Sequence, residues 1–153
     1  MINEKSFSKI IGTGSFLPGI PVSNKDLALM LKKNGIETSD SWIKERSGIT
    51  QRYFASDSDT TSSLGLKAAL KAMEDAEVTS DEVDLLIVAT TTPDCIFPSV
   101  ACQIQGKLGI EKGAAFDVQA VCSGFVYALT IADLFIKSQR HSCALVIGAE
   151  TLS

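Results

Sequence analysis

Ala115-Phe116-Asp117-Val118-Gln119-Ala120-Val121-Cys122-Ser123-Gly124-Phe125 decides how this chain is read. An apolar, strand-like run leads straight into a thiol, and an apolar helix follows it. A strand feeding a helix through a short turn is the repeating unit of a layered α/β fold. The same turn places a soft nucleophile where the free N–H groups of a helix start can stabilise a thiolate. Ser123-Gly124 behind it lets the backbone approach a substrate closely. A cysteine so placed suits covalent acyl transfer from a thioester.

Outward from this stretch the pattern alternates strand and helix. Phe7 to Gly12 reads as a first strand, ended by Gly12-Thr13-Gly14. Ser23 or Asn24 caps a helix through Leu31. Thr38-Ser39-Asp40 starts a short helix carrying Trp42, Ile43 and Arg46, stopped by Gly48, and Ile49 to Ala55 is extended. A longer helix runs from about Thr60 to Ala76, with Leu64, Ala68, Met73 and Ala76 near one face. Val83 to Thr90 is a near-continuous apolar run, as expected of a strand covered on both sides. Pro98 opens the next helix, whose Val100, Ile104 and Leu108 recur every fourth residue before Gly109 ends it. Ala114 to Ala120 is the strand before Cys122, and Cys143 to Ala149 is the last. The helix between them, to about Ser138, is apolar round most of its girth, broken only by Tyr127, Thr130 and Asp133. Such a helix needs enclosure. No repeat, low-complexity stretch or linker divides the chain.

Composition excludes several function classes. The 153 residues are 45% apolar and 21% charged, a soluble globular profile. A net charge of −4 argues against a nucleic-acid partner or an anionic membrane surface. No apolar run is long enough to cross a bilayer, and Met1-Ile2-Asn3-Glu4-Lys5 lacks the layout of a signal peptide, so a cytoplasmic protein is expected. Cys95, Cys102, Cys122 and Cys143 form no CxxC pair, which suggests neither a disulfide framework nor a zinc site.

Each candidate residue has a plainer reading beside the functional one. An isolated cysteine is usually a small core hydrophobe, and this fits Cys95, Cys102 and Cys143. His141, the only histidine, lies in a polar loop at the opposite end of the sheet from Cys122 and reads as a solvated surface residue. Trp42, Lys44, Arg46 and Arg52 can stack on a purine and meet phosphates. They also fit a half-buried tryptophan with snorkelling charges, and the residues alone favour that. Gly12-Thr13-Gly14 lacks the third glycine of a dinucleotide loop and reads as a turn. Phe97 either faces a ligand or packs on the sheet.

Together these segments resemble the β-ketoacyl-[acyl-carrier-protein] synthase III family of thiolase-fold condensing enzymes. The motifs are Ile10-Ile11-Gly12-Thr13-Gly14-Ser15-Phe16-Leu17-Pro18, Thr38-Ser39-Asp40-Ser41-Trp42-Ile43, Arg46-Ser47-Gly48-Ile49, Val88-Ala89-Thr90-Thr91-Thr92-Pro93-Asp94, Phe97-Pro98-Ser99, Ala101-Cys102-Gln103-Ile104-Gln105, Ala115-Phe116-Asp117-Val118 and Cys122-Ser123-Gly124-Phe125. The resemblance spans about Ser8 to Ser153. It implies an α/β, thiolase-like fold: one half, with a mostly parallel five-stranded sheet layered by helices, of a two-half αβαβα architecture.

It further implies that Cys122 accepts a short acyl group from acyl-CoA, a substrate and not a permanently bound cofactor. Trp42 stacks on the coenzyme's adenine, Arg46 and Thr38 contact its nucleotide part, and Phe97 shapes the acyl pocket of the partner in a homodimer. These matches reverse the preference at Trp42 and Arg46. Malonyl-acyl-carrier-protein would then be condensed with loss of carbon dioxide. The family's histidine and asparagine lie in a second half that this sequence does not contain, and His141 does not match that histidine. The expectation is therefore a fragment, or one chain of a split enzyme, inactive in condensation without its complement. A related condensing enzyme of secondary metabolism and a non-catalytic partner subunit are the alternatives.

Overall fold

The computed structural model describes residues 7–152. The chain forms two compact units, one of residues up to Phe16 with Asp59–Leu152, the other of Leu17–Ser58. Among the described residues no helix is long and apolar enough to cross a membrane.

The larger unit is built on a three-stranded parallel sheet in the order β4-β3-β5, where β3 is Leu85–Ala89, β4 is Ala114–Val118 and β5 is Ala144–Gly148. Leu85 pairs in register with both Ala114 and Ala144. All five residues of the central strand are buried, and its pleat divides them between two cores. Leu86 and Val88 pack with Val100, Ala101 and Ile104 of helix α4 (Val100–Leu108) and Ala69 of α3 (Thr61–Ala76). Leu85, Ile87 and Ala89 pack with Ala128 and Ala132 of α5 (Gly124–Lys137). One sheet thus carries two helices on one face and one on the other, the α/β layering expected.

The helix boundaries follow side-chain chemistry. Thr60 accepts from the Ser63 N–H, and the Ser63 hydroxyl closes a capping box. The α4 helix is opened by Ser99, which accepts from the Cys102 N–H (3.2 Å), and not by Pro98 as expected. The two amides before that one go to Asp117, whose carboxylate accepts from Val100 N (2.9 Å) and Ala101 N (2.8 Å). Asp117 therefore ties β4 to the start of α4 through charge-assisted bonds. Gly109 ends the helix in the left-handed region.

The expected first strand, Phe7 to Gly12, is not one: its residues join no ladder, and since the extended stretch at Ile49 to Ala55 pairs elsewhere, the parallel sheet has three strands and not five. The reason lies in what holds this segment. Ser8 donates to Asp133 on α5 (2.6 Å), and the Thr13 N–H donates to Asp75 on α3 (2.8 Å). A Cβ on Gly14 would stand 2.3 Å from the backbone N of Ala72. The segment is thus clamped to two helices, and an apolar cavity of ≈ 570 Å³ separates it from β5.

Enclosure of α5 is one-sided. Only Gly124, Ala128 and Ala132 are buried, while Phe125, Val126, Tyr127, Leu129 and Leu134 are exposed.

The smaller unit holds β1 (Val22–Ser23), α1 (Asn24–Lys33), α2 (Asp40–Ser47) and β2 (Gln51–Arg52). The extended stretch after Gly48 contributes only β2, which pairs antiparallel with β1. Ser23 and Ser39 cap the two helices through the N–H groups of Asp26 and Trp42. The centre of the unit is polar. Asn24, 1% exposed, donates to Asp40 (2.9 Å) and to the Ile49 carbonyl (2.7 Å), and accepts from Arg52 (3.1 Å). One amide thereby holds both ends of α2. Asn24→Ala should cost about 2–3 kcal/mol, since it removes three hydrogen bonds made by a buried amide, two of them to charged groups. Urea unfolding followed by fluorescence of the single tryptophan, Trp42, checks this, and an unshifted midpoint contradicts it.

Candidate active site

Cys122 lies past the C-terminal end of β4, in a single 3-10 turn, Val121–Ser123, that leads into α5. The turn is made by a costly backbone conformation: Val121 has φ 48. A β-branched residue avoids that region, and holding it there costs on the order of 1–3 kcal/mol. Such strain persists only where surrounding contacts enforce it. Gly124 helps, since even a Cβ there would come 3.3 Å from that of Ala89, so α5 begins close against the end of β3. The thiol is exposed as a result. The helices α1 to α4 all have a Ser or Thr side chain accepting at their start, whereas α5 has none.

A small cleft of ≈ 160 Å³ opens at the thiol. Its walls are Ala89, Val121, Phe125, Gly148 and Ala149, together with Glu150. The Glu150 carboxylate gathers the loop that leaves β3. Its Oε1 accepts from Thr91 N (2.8 Å) and the Thr91 hydroxyl (3.1 Å). Its Oε2 accepts from the hydroxyls of Thr92 (2.6 Å) and Thr90 (3.4 Å). Thr61 of α3 donates to the Thr92 carbonyl (2.5 Å), and the Ser62 N–H donates to Asp94 (3.0 Å). Burial pushes the Asp94 carboxyl up, but the bonds from Ser62, helped by Thr60 and Lys107, outweigh it and hold the group below its ordinary range. The base of this loop is rigidly tied. Its tip is not: Ile96 and Phe97 are 96% and 90% exposed.

Of the other thiols, Cys95 and Cys102 are not core hydrophobes as expected but exposed, because they sit in the loop after β3 and on the outer side of α4; only Cys143 is partly buried. Burial, then the charges of Asp84 and Glu82, pushes the Cys143 thiol up, which suits an inert core cysteine. Asp84 opposes it from a fixed place, accepting from Ser142 N and Oγ and from Cys143 N. Cys102 donates to the Ala115 carbonyl (3.6 Å).

His141 precedes β5, whose other end borders Cys122, so the two do lie at opposite ends of the sheet. It is not freely solvated as expected. Its ring meets Phe135 edge-on at 5.0 Å, and its Nδ1 is buried with no hydrogen-bond partner among the described residues.

Thr38, Trp42 and Arg46 belong to the smaller unit. Trp42 is 53% exposed, and the Arg46 guanidinium sits over its ring at 4.8 Å, one turn along α2. The Thr38 hydroxyl oxygen, just before α2, is shielded and has no hydrogen-bond partner among the described residues.

The structure therefore gathers Glu150 and the threonine loop beside Cys122, residues to which sequence reasoning assigned no role. The signal was available in part: three threonines follow a buried strand, and a carboxylate ends the last one. Nothing local marks Val121 as strained.

The family of 3-oxoacyl-[acyl-carrier-protein (ACP)] synthase III matches residues 116–153. Over the whole chain, the fold is similar to the crystal structure of 3-oxoacyl-[acyl-carrier-protein] synthase III from Aquifex aeolicus, with 46% identity and a TM-score of 0.85, covering 94% of this chain and 45% of that one. The priming β-ketosynthase from the R1128 polyketide biosynthetic pathway is similar at 33% identity and a TM-score of 0.88, covering 99% and 44%. The synthase III from Pseudomonas aeruginosa matches at 36% identity and a TM-score of 0.82, covering 92% and 42%. The chain spans less than half the length of each.

Proposed function

The chain belongs to the 3-oxoacyl-[acyl-carrier-protein] synthase III family, with a thiolase-like fold, and from that premise we propose that it carries the acyl-accepting share of an initiating condensing enzyme. The observation that carries this reading is Cys122, held exposed over its own cleft by the strained Val121. The Cys122 thiolate attacks the carbonyl carbon of a short acyl-CoA, and the coenzyme leaves as its thiol. Malonyl-acyl-carrier-protein then loses carbon dioxide, and the carbanion attacks the acyl carbonyl. A β-ketoacyl-acyl-carrier-protein departs, and the Cys122 thiolate is regenerated.

Support for the coenzyme comes from the smaller unit. The exposed indole of Trp42 offers a face for adenine, with Arg46 and the unpartnered Thr38 hydroxyl nearby. The bare tip at Phe97 suits a surface that a second copy of the protein covers. Decarboxylation needs donors that stabilise an enolate, each worth on the order of a hundredfold or more in rate. The family resemblance implies a histidine and an asparagine in this role, and in this proposal a complementary half supplies them.

A second reading is the priming of a polyketide chain, favoured by the likeness to the R1128 enzyme. It uses the same acyl transfer and differs in what takes the acyl group onward. The test is a condensation assay with and without the polypeptide that supplies the other half. The 153-residue chain alone should give acyl-enzyme and no β-ketoacyl product, and addition should restore product. Full turnover by the chain alone refutes the division of labour.

A further inference from the structure

We propose that Glu150 acts as a charge filter at the nucleophile, so that Cys122 takes uncharged acyl groups and disfavours those ending in a carboxylate. The inference deepens the acyl-transfer reading above by naming the class of acyl group.

Three observations carry it. Glu150 lines the same ≈ 160 Å³ cleft as Cys122, and every other wall residue is neutral. No lysine, arginine or histidine is among them to offset the charge. The carboxylate is also fixed: both oxygens are held by Thr90, Thr91 and Thr92, so it cannot swing away as a free surface glutamate does. Hydroxyl and amide donors shield a carboxylate locally but leave its net charge. A second carboxylate entering so small a cleft meets it at several ångströms. At an effective dielectric between that of a protein surface and water, this disfavours entry on the order of three- to tenfold. An acyl group ending in methyl meets only the apolar walls.

Iodoacetamide and iodoacetate test this directly, since they have nearly the same shape and differ by one negative charge. In both reactions the thiolate sulfur attacks the methylene carbon, iodide leaves, and the thiol proton goes to solvent. The rate ratio, amide over acid, is read at Cys122 by peptide mass spectrometry and compared with that of N-acetylcysteine amide. A change in thiolate fraction alters both rates equally and cancels in the ratio. In the natural chain the ratio at Cys122 should exceed the reference by about three- to tenfold and shrink towards it in about 1 M salt. Glu150→Gln, which keeps an acceptor for Thr91, should bring it close to the reference.

A ratio at Cys122 equal to the reference, or one unmoved by Glu150→Gln, overturns the filter. The salt arm uses the natural chain, so it decides the matter even if the variant folds poorly. Butyryl-CoA against succinyl-CoA supplies the substrate arm: butyryl should label Cys122 faster, and Glu150→Gln should narrow the gap. Failure of both coenzyme esters to label counts against acyl transfer, while the haloacetate ratio still decides the filter.

Discussion

Cys122→Ala should abolish acyl uptake from acyl-CoA and lower condensation by the completed enzyme by at least about a thousandfold, because no other thiol lines the cleft. The size of the effect follows from how little redundancy the site has. Cys143 is pushed up by burial and by Asp84 and Glu82, and it lies at the start of β5, the far end of the sheet. Cys102 sits on α4, and Cys95 lies in the loop after β3; neither lines the cleft. The fold also commits strain to this one position. Val121 at φ 48 is tolerated only because the turn must aim the next residue outward. Alanine is compatible with the same turn, so the variant should unfold at the natural midpoint, separating lost chemistry from lost structure. Retained acyl labelling in Cys122→Ala contradicts the assignment.

Gly113→Ala should be the most damaging single substitution in the sheet, costing about 3 kcal/mol or more. Gly113 enters β4 with φ 85, a region that L side chains rarely occupy. A Cβ there would fall 1.9 Å from the Asp84 carbonyl oxygen, which cannot yield. Asp84 is itself pinned: its N–H donates to the Cys143 carbonyl, and its carboxylate accepts from Ser142 and Cys143. Burial raises the Asp84 carboxyl, but those bonds outweigh it and hold it low. Relieving the clash would pull apart the entries of β3, β4 and β5 together. Against a typical domain stability of about 5–15 kcal/mol, this is a large share. Gly106→Ala is the control, an α4 position with nothing within 4 Å of the new atom, and should gain up to about 1 kcal/mol. Equal urea midpoints for the two variants would contradict the account.

These two positions show what a sequence discloses and what it conceals. The β3 strand is legible because burial on both faces leaves a run of apolar residues with no alternation. The helices α3, α4 and α5 are legible from their apolar periodicity, and α2 and α4 also from Gly48 and Gly109 as left-handed ends. The outer face of α5 was readable too: so apolar a helix cannot be satisfied by one sheet, and its large side chains are exposed.

The misreadings share a cause. Phe7–Gly12 has a strand's composition, but two hydrogen bonds to helices and the close approach of Gly14 to α3 decide its place. Those are tertiary facts with no local mark. Pro98 is a good first helical residue in isolation, yet Ser99 and the distant Asp117 supply the amides' acceptors. At the candidate site, Cys122 was visible as a residue type at a junction. The partnership of Glu150 with Thr90–Thr92 joins positions about sixty apart, and only the parallel pairing of β3 with β5 brings them together.

The most direct test of the central claim is a comparison among the four thiols of the natural chain. After incubation with a short acyl-CoA, peptide mass spectrometry should find the acyl mass on Cys122, with Cys95, Cys102 and Cys143 unmodified. Acyl mass spread over the exposed thiols in proportion to their accessibility, or none on Cys122, would contradict it.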